Sequence, residues 1–411
     1  MLEAFVISAA AERLRSCVLG PYVDDFCIQL AERGYAPASI RSKLGTVGVL
    51  AGWMEQEQLA VAELDERRVD EFLAWRRGRG RPWRGYRRAL LQLLALLREA
   101  GVVGVPVPVT DNSPAASLLA RYERYLRRER GLADVTVTHY LRVVRAFVRE
   151  SVEGIHRAPL DAQTVRDFLR ARAPGRAPRS LQGVASALRS FLRFLFLRGE
   201  TAGDLASSIP TVRQWRQAQV PRALAAPDIE RLLDTCDRAS AIGRRDHAIL
   251  LLLARLGLPA GEIVALELDD LRWREGEIVV RGKGGFRDRL PLPPEVGAAL
   301  AAYLRTDRPG GASRRVFVCT QAPQRGFAGS STVSTIVARR LGRAGLAPAT
   351  RGAHLLRHGL ATSLLRHGAS MVEIGELLRH RSPATTEIYA KLDFDALREV
   401  APAWPNARGA R

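Results

Sequence analysis

Long apolar runs are missing from this 411-residue chain. No window approaches the roughly 20 uninterrupted apolar residues that cross a bilayer, so a soluble protein with no membrane partner is expected. The amino terminus, MLEAFVISAAAERLRS, lacks the basic start of a secretory signal and carries Glu3 early, and it reads as the start of a helix. Cysteine is also scarce. Cys17, Cys27, Cys236 and Cys319 show no C-x-x-C spacing, which speaks against a zinc site and a disulfide framework and fits a cytoplasmic address. Lysine is nearly absent: only Lys43, Lys283 and Lys391 occur among 63 basic residues.

What the chain has in quantity is positive charge. Its 63 Lys+Arg against 43 Asp+Glu leave +20. A polyanionic partner is expected, because neutralising phosphates releases condensed counterions. An arginine-rich composition also follows from a GC-rich genome. Charge therefore points to nucleic acid without saying what is done to it.

A chain of this length suggests two to four domains. Two stretches of the first half share one helical pattern. Gly34 and Gly131 each stand at a helix stop, and Asp65 and Asp161 each cap a short helix. Leu188, Phe191, Leu192 and Leu195 recur at helical spacing and give the last helix of the second copy one buried face. Duplication and two unrelated bundles both fit this pattern. The Pro-rich stretches VVGVPVPVTDNSPA and SSIPTVRQWRQAQVPRAL read as linkers. The expected plan is a helical domain at 1–104, a linker at 105–114, a second helical domain at 115–208, a linker at 209–223, a third domain at 224–392 and a tail at 393–411. In the third domain, Asp228 reads as the cap of its first helix, and RRDHAILLLLARLGL as a core helix. GEIVVRG and RDRLPL form a hairpin around KGG, RRVFVC is a further strand, and the rest from Ser330 is helical. The fold class is mainly α with a small antiparallel sheet.

Breaking and rejoining a phosphodiester without a cofactor or metal needs a nucleophile that stores the ester energy, cations that hold the phosphate, and an acid for the leaving oxygen. Tyr389 lies in RHRSPATTEIYAKL after His380, His354 and Arg357 are spaced i, i+3 on one helix face, and Lys283 sits at the hairpin tip. A flexible cation on a turn can reach a leaving 5′ oxygen, and with three lysines in the chain its presence there is not expected by accident.

In these residues the chain resembles the tyrosine recombinase (phage integrase) family, from about Leu224 to Leu392. The family's H-x-x-R box looks like His354-Leu-Leu-Arg357-His358. Its L-L-G-H box looks like Leu377-Leu378-Arg379-His380, and its T-x-x-Y box like Thr386-Glu-Ile-Tyr389. The resemblance implies helical SAM-like DNA-binding domains and a catalytic domain that closes round double-stranded DNA as a clamp. It also implies strand cleavage and rejoining through a 3′-phosphotyrosyl link in a homo- or hetero-tetramer, with no metal or nucleotide, in the bacterial cytoplasm at the nucleoid. By resemblance Tyr389 is the nucleophile, Lys283 the acid for the 5′ hydroxyl, and Arg357 the phosphate clamp. His354 and His380 assist proton transfer and phosphate contact. The tail after Tyr389, with Asp393 as cap and Phe394, Leu397 and Val400 on one face, would dock on a neighbouring protomer or cap its own domain.

One position departs from the family. Its first catalytic arginine follows a Gly-Leu pair as G-L-R-x-x-E, and this chain reads Gly257-Leu258-Pro259-Ala260-Gly261-Glu262. Pro259 offers neither a cation nor a backbone N–H. Three outcomes are open. Arg255, one helical turn earlier, substitutes for the missing arginine; or the protein is a slow or partner-dependent recombinase that works with companion recombinases; or it is a catalytically silenced DNA-binding architectural subunit. A type IB topoisomerase uses similar chemistry, but the two-copy helical first half and the box wording favour the recombinase.

Overall fold

Short polar caps and glycine stops divide the first half into helices. The computed structural model describes residues 2–80, 86–105, 113–153, 160–212, 221–282, 285–310 and 313–392. Lys283, linker residues 106–112 and 213–220, and the tail from Asp393 onward lie outside the described residues. The chain divides into two compact units, residues 1–107 together with 220–411, and residues 108–219.

The first stretch of the larger unit holds α1 (Ser8–Ser16), α2 (Gly20–Glu32), α3 (Pro37–Gln56), α4 (Glu66–Arg77) and α5 (Tyr86–Glu99). The amino terminus begins with a 3-10 turn, Leu2–Ala4, before α1. Asp65 caps α4 by accepting a hydrogen bond from the Arg68 N–H at 2.7 Å. Gly34, at φ 76, ends the turn after α2, where a left-handed residue is needed. These helices bury Phe26, Trp53, Phe72 and the Leu90, Leu93, Leu94, Leu97 face of α5.

The smaller unit repeats these devices in α6 (Pro114–Arg124), α7 (Asp134–Val148), α8 (Ala162–Ala171) and α9 (Pro178–Leu197). Asp161 caps α8 through the Thr164 N–H at 2.8 Å, and Gly131 takes φ 57. The expected Leu188, Phe191, Leu192 and Leu195 face of α9 is buried. It meets Tyr122 and Phe147, with Tyr122 edge-on to Phe191 at 5.0 Å.

The larger unit's second stretch is built on α11 (Ala241–Arg255), preceded by α10 (Ala226–Asp234). Residues 248–254 of α11 are all buried, as an all-round apolar helix must be. Asp246 on α11 is 1% exposed and lies between two guanidiniums, Arg245 at 2.7 Å and Arg340 at 2.7 Å. Arg340 belongs to α14 (Ser330–Arg343), so the ion cluster ties two helices through the core. After α12 (Ala260–Ala265) come three antiparallel strands in order: β1 (Leu271–Arg272), β2 (Glu277–Arg281) and β3 (Arg287–Pro291). Ile278 faces Leu290, and Val280 faces Asp288. α13 (Pro294–Thr306) precedes α14, and α15 (His354–Arg366), α16 (Met371–Leu377) and α17 (Pro383–Thr386) complete the order.

Two local expectations are corrected. α10 starts two residues before Asp228, because Pro227 suits the first helical turn, and Asp228 lies inside that turn instead of capping it. RRVFVC does not extend the sheet. Its residues make isolated bridges, Glu267 with Arg315 and Val318 with Gly326, while Val316, Phe317 and Val318 are buried as core.

Candidate active site

Arg357 stands at the centre, one turn into α15. One of its terminal nitrogens donates to the Gly257 carbonyl after α11, and the other to the Leu378 carbonyl after α16, at 2.5 Å. Gly257 is required for this approach: it has φ 59, and a Cβ there would lie 2.7 Å from Leu378 Cδ2. Burial holds the Arg357 guanidinium below its usual range, and the charge of Arg379 adds to this. The α15 helix comes close to the start of the domain at Gly359, where a Cβ would meet the Leu224 carbonyl at 2.9 Å.

Tyr389 follows α17 in a 3-10 segment, Glu387–Leu392, and is 1% exposed. It packs with Ala361, Ile374 and Leu378. Its hydroxyl lies 2.7 Å from His358 Nδ1, and its ring stacks on His380 at a centroid distance of 6.5 Å. Burial pushes the phenol up to about 12 against the pull of Arg357. Burial, reinforced by His354 and Arg357, brings His358 down to about 4. At neutral pH, then, the imidazole is uncharged and shares one hydrogen bond with the phenol through Nδ1.

His380 is likewise brought down to about 4, first by burial and then by Arg357 and His358. Its Nδ1 lies 2.7 Å from Thr386 Oγ1. His354 is exposed at the start of α15, with its ring 5.9 Å from that of His358. Four of the expected residues, His354, Arg357, His380 and Tyr389, thus converge. Lys283 lies outside the described residues, though strands β2 and β3 that flank it form the expected hairpin. Arg255 is taken up elsewhere, by Glu295 at 2.9 Å and Glu230 at 3.0 Å. Pro259 sits at the N-cap of α12 and offers only its carbonyl, which accepts from the Glu262 N–H at 2.9 Å.

Two participants escaped the sequence reading. His358 was visible only as the last residue of HLLRH, one turn after His354 on the same face. Arg379 was visible as a bulky residue where the resembling box carries glycine. Its guanidinium bonds to Glu262 and reaches Asp288 Oδ2 at 3.4 Å.

A buried tyrosine flanked by His358, His380 and Arg357 lies in a mainly helical chain with a three-stranded sheet. Residues 222–395 match the phage integrase family, and residues 119–199 match the phage integrase N-terminal SAM-like domain. The integrase/recombinase y4rA of Sinorhizobium fredii is 42% identical over 93% of this chain and 94% of its own. The tyrosine recombinase XerD of Lacticaseibacillus casei is 31% identical over 69% of this chain and 96% of its own. Among solved structures, a lambda integrase dimer bound to a core site has a TM-score of 0.51 at 18% identity, covering 70% of this chain and 98% of that one. A lambda integrase tetramer bound to a Holliday junction has a TM-score of 0.51 at 19% identity, covering 75% and 87%. The chain belongs to the phage integrase family of tyrosine recombinases, proteins of site-specific DNA recombination. Among the described residues, no helix is long and apolar enough to cross a membrane.

Proposed function

We propose that this protein cleaves and rejoins one DNA strand at a time through a 3′-phosphotyrosyl link at Tyr389, and does so only within an assembly on double-stranded DNA. The observation that carries this is the pairing of Tyr389 with His358 beside Arg357. In the forward step the Tyr389 oxygen bonds to phosphorus and the bond from phosphorus to the 5′ oxygen breaks. The phenolic proton has an acceptor in His358 Nδ1, and the leaving 5′ oxygen takes a proton from Lys283. Arg357 holds the phosphate, where donors are most effective as charge grows on the non-bridging oxygens. With Thr386 donating to its Nδ1, His380 carries its hydrogen on Nε2 and donates it to the phosphate. His354, exposed at the mouth of the site, contacts the same group.

The dependence on assembly follows from burial. At 1% exposure Tyr389 cannot touch a phosphate until its segment moves. Binding of DNA, further copies or companion recombinases supplies that movement, in a homo- or hetero-tetramer, and the +20 charge and the helical units at 1–104 and 115–208 supply DNA affinity. Pro259 favours a second reading, a silenced architectural subunit that binds DNA but never cleaves. A nicked suicide substrate from the ends of the protein's own mobile element separates the two. An SDS-resistant adduct that disappears in Tyr389→Phe supports cleavage. Tight binding with no adduct, alone or with companion recombinases, supports the subunit.

A further inference from the structure

Arg379 is held in an arrangement that its backbone does not favour. Among the described residues, only Gln58 and Arg379 are non-glycine residues with positive φ, and Arg379 stands at 57°. A left-handed residue with a side chain costs about 1–2 kcal/mol. Its side chain is also drawn out of water, to 11% exposure, and Nε is buried with no hydrogen-bond partner. A glycine would avoid both costs.

The place it occupies explains what the arginine does. Glu262, its first partner, lies in the opening turn of α12, which Pro259 begins. Asp288, its second, is on β3 of the hairpin that leads to Lys283, and both carboxylates lie 3.9 Å from where a Cβ on Gly282 would stand. Leu378, its neighbour in sequence, gives its carbonyl to Arg357, and His380 follows directly. Arg379 thus follows directly on the residue whose carbonyl takes an Arg357 N–H, which places it next to that contact. Glu262 and Asp288 balance the Arg379 charge in the free protein, and a phosphate seated on Arg357 would bring a further anion to it. A phosphodiester has two non-bridging oxygens, and both gain charge during transfer.

We propose that Arg379 is a catalytic residue, the second phosphate clamp of this site, supplying from the loop after α16 the cation that position 259 lacks. Glu262 and Asp288 hold it ready in the free protein. The 3.4 Å contact to Asp288 is the weaker one and yields to a phosphate oxygen, while the Glu262 bond keeps the guanidinium oriented. No bond is made or broken at Arg379: it donates N–H groups to one oxygen while Arg357 serves the other.

This rests on the strand-cleavage reading, and the test keeps the two apart. Arg379→Asn is the informative variant, because asparagine tolerates the left-handed backbone, and its DNA binding in the Tyr389→Phe background reports whether it folds. On the nicked substrate it should slow adduct formation roughly 10²–10³-fold. Adding Pro259→Arg to Arg379→Asn should restore most of the rate, whereas Pro259→Arg alone should change it little. A methylphosphonate at the scissile position, which removes one negative oxygen, should restore Arg379→Asn selectively. A merely structural residue would show neither rescue. In a Tyr389→Phe background, where nothing is cleaved, Arg379→Asn should lower the slope of log affinity against log salt by about one. That binding measurement decides the matter even if the native protein forms no adduct. Arg379→Asn cleaving within about threefold of native, or an unchanged salt slope, would overturn the proposal.

Discussion

His358 Nδ1 stands 2.7 Å from the Tyr389 hydroxyl, and burial keeps the imidazole neutral and the phenol protonated. The hydrogen bond therefore helps to hold the tyrosine in its buried position.

Removing the imidazole should loosen the tyrosine. A hydrogen bond of this kind contributes about 0.5–1.5 kcal/mol, a factor of roughly 2–10 in the population of an opened state. In His358→Ala, nitration of Tyr389 mapped by mass spectrometry should rise by that factor, while adduct formation falls. An unchanged nitration rate would show that the ring is held by packing alone.

Acid should weaken the same region. His358 and His380 are held near 4 in the folded protein against an ordinary 6.5. Their folded values are lowered, so the stability from keeping them neutral is complete above pH 6.5 and is lost as pH falls towards 4. Denaturant unfolding between pH 7.5 and 4.5 should show this loss, and His358→Asn with His380→Asn should flatten it. Parallel curves for the two proteins would contradict the assignment.

The buried ion cluster is expected to matter for folding and not for chemistry. Asp246→Ala strands Arg245 and Arg340 without their carboxylate, and one broken partner of this kind costs about 3–5 kcal/mol. Arg255→Ala, which removes a half-exposed pair with Glu230 and Glu295, should change stability by no more than about 1 kcal/mol and leave adduct formation unaltered. A large loss of cleavage in Arg255→Ala would return that residue to the site.

Gly257→Ala tests how Arg357 is placed. The new methyl meets Leu378 at 2.7 Å on a backbone at φ 59, a combined strain of about 1–3 kcal/mol. Because the Gly257 carbonyl holds Arg357, cleavage should fall more than DNA affinity. Equal losses in both would mean that the substitution acts through folding.

Local chemistry was legible in the sequence where one residue decides it. Asp65 and Asp161 cap as read, Gly34 and Gly131 stop helices, and the hairpin around KGG pairs as drawn. The H-x-x-R spacing put His354 and Arg357 on one helix. What stayed hidden depends on contacts distant in the chain. RRVFVC has the composition of a strand, but its partners are Leu266, Glu267 and Gly326 and not a sheet edge. Arg379 meets Glu262 across 117 positions, and no periodicity connects them. Arg255 was placed near the site by helical rise alone, which gives distance along an axis and not the direction in which a side chain leaves it.

The storage of Tyr389 also bears on damage. A recombinase scanning a chromosome passes on the order of 10⁶ or more non-specific sites for each proper one. A tyrosine that is 1% exposed cannot nick them in passing. If cleavage at Tyr389 proceeds as proposed, errors are confined to moments when a complete assembly has formed at the wrong place, and fidelity would be set by how rarely that happens and not by how weakly one molecule holds stray DNA.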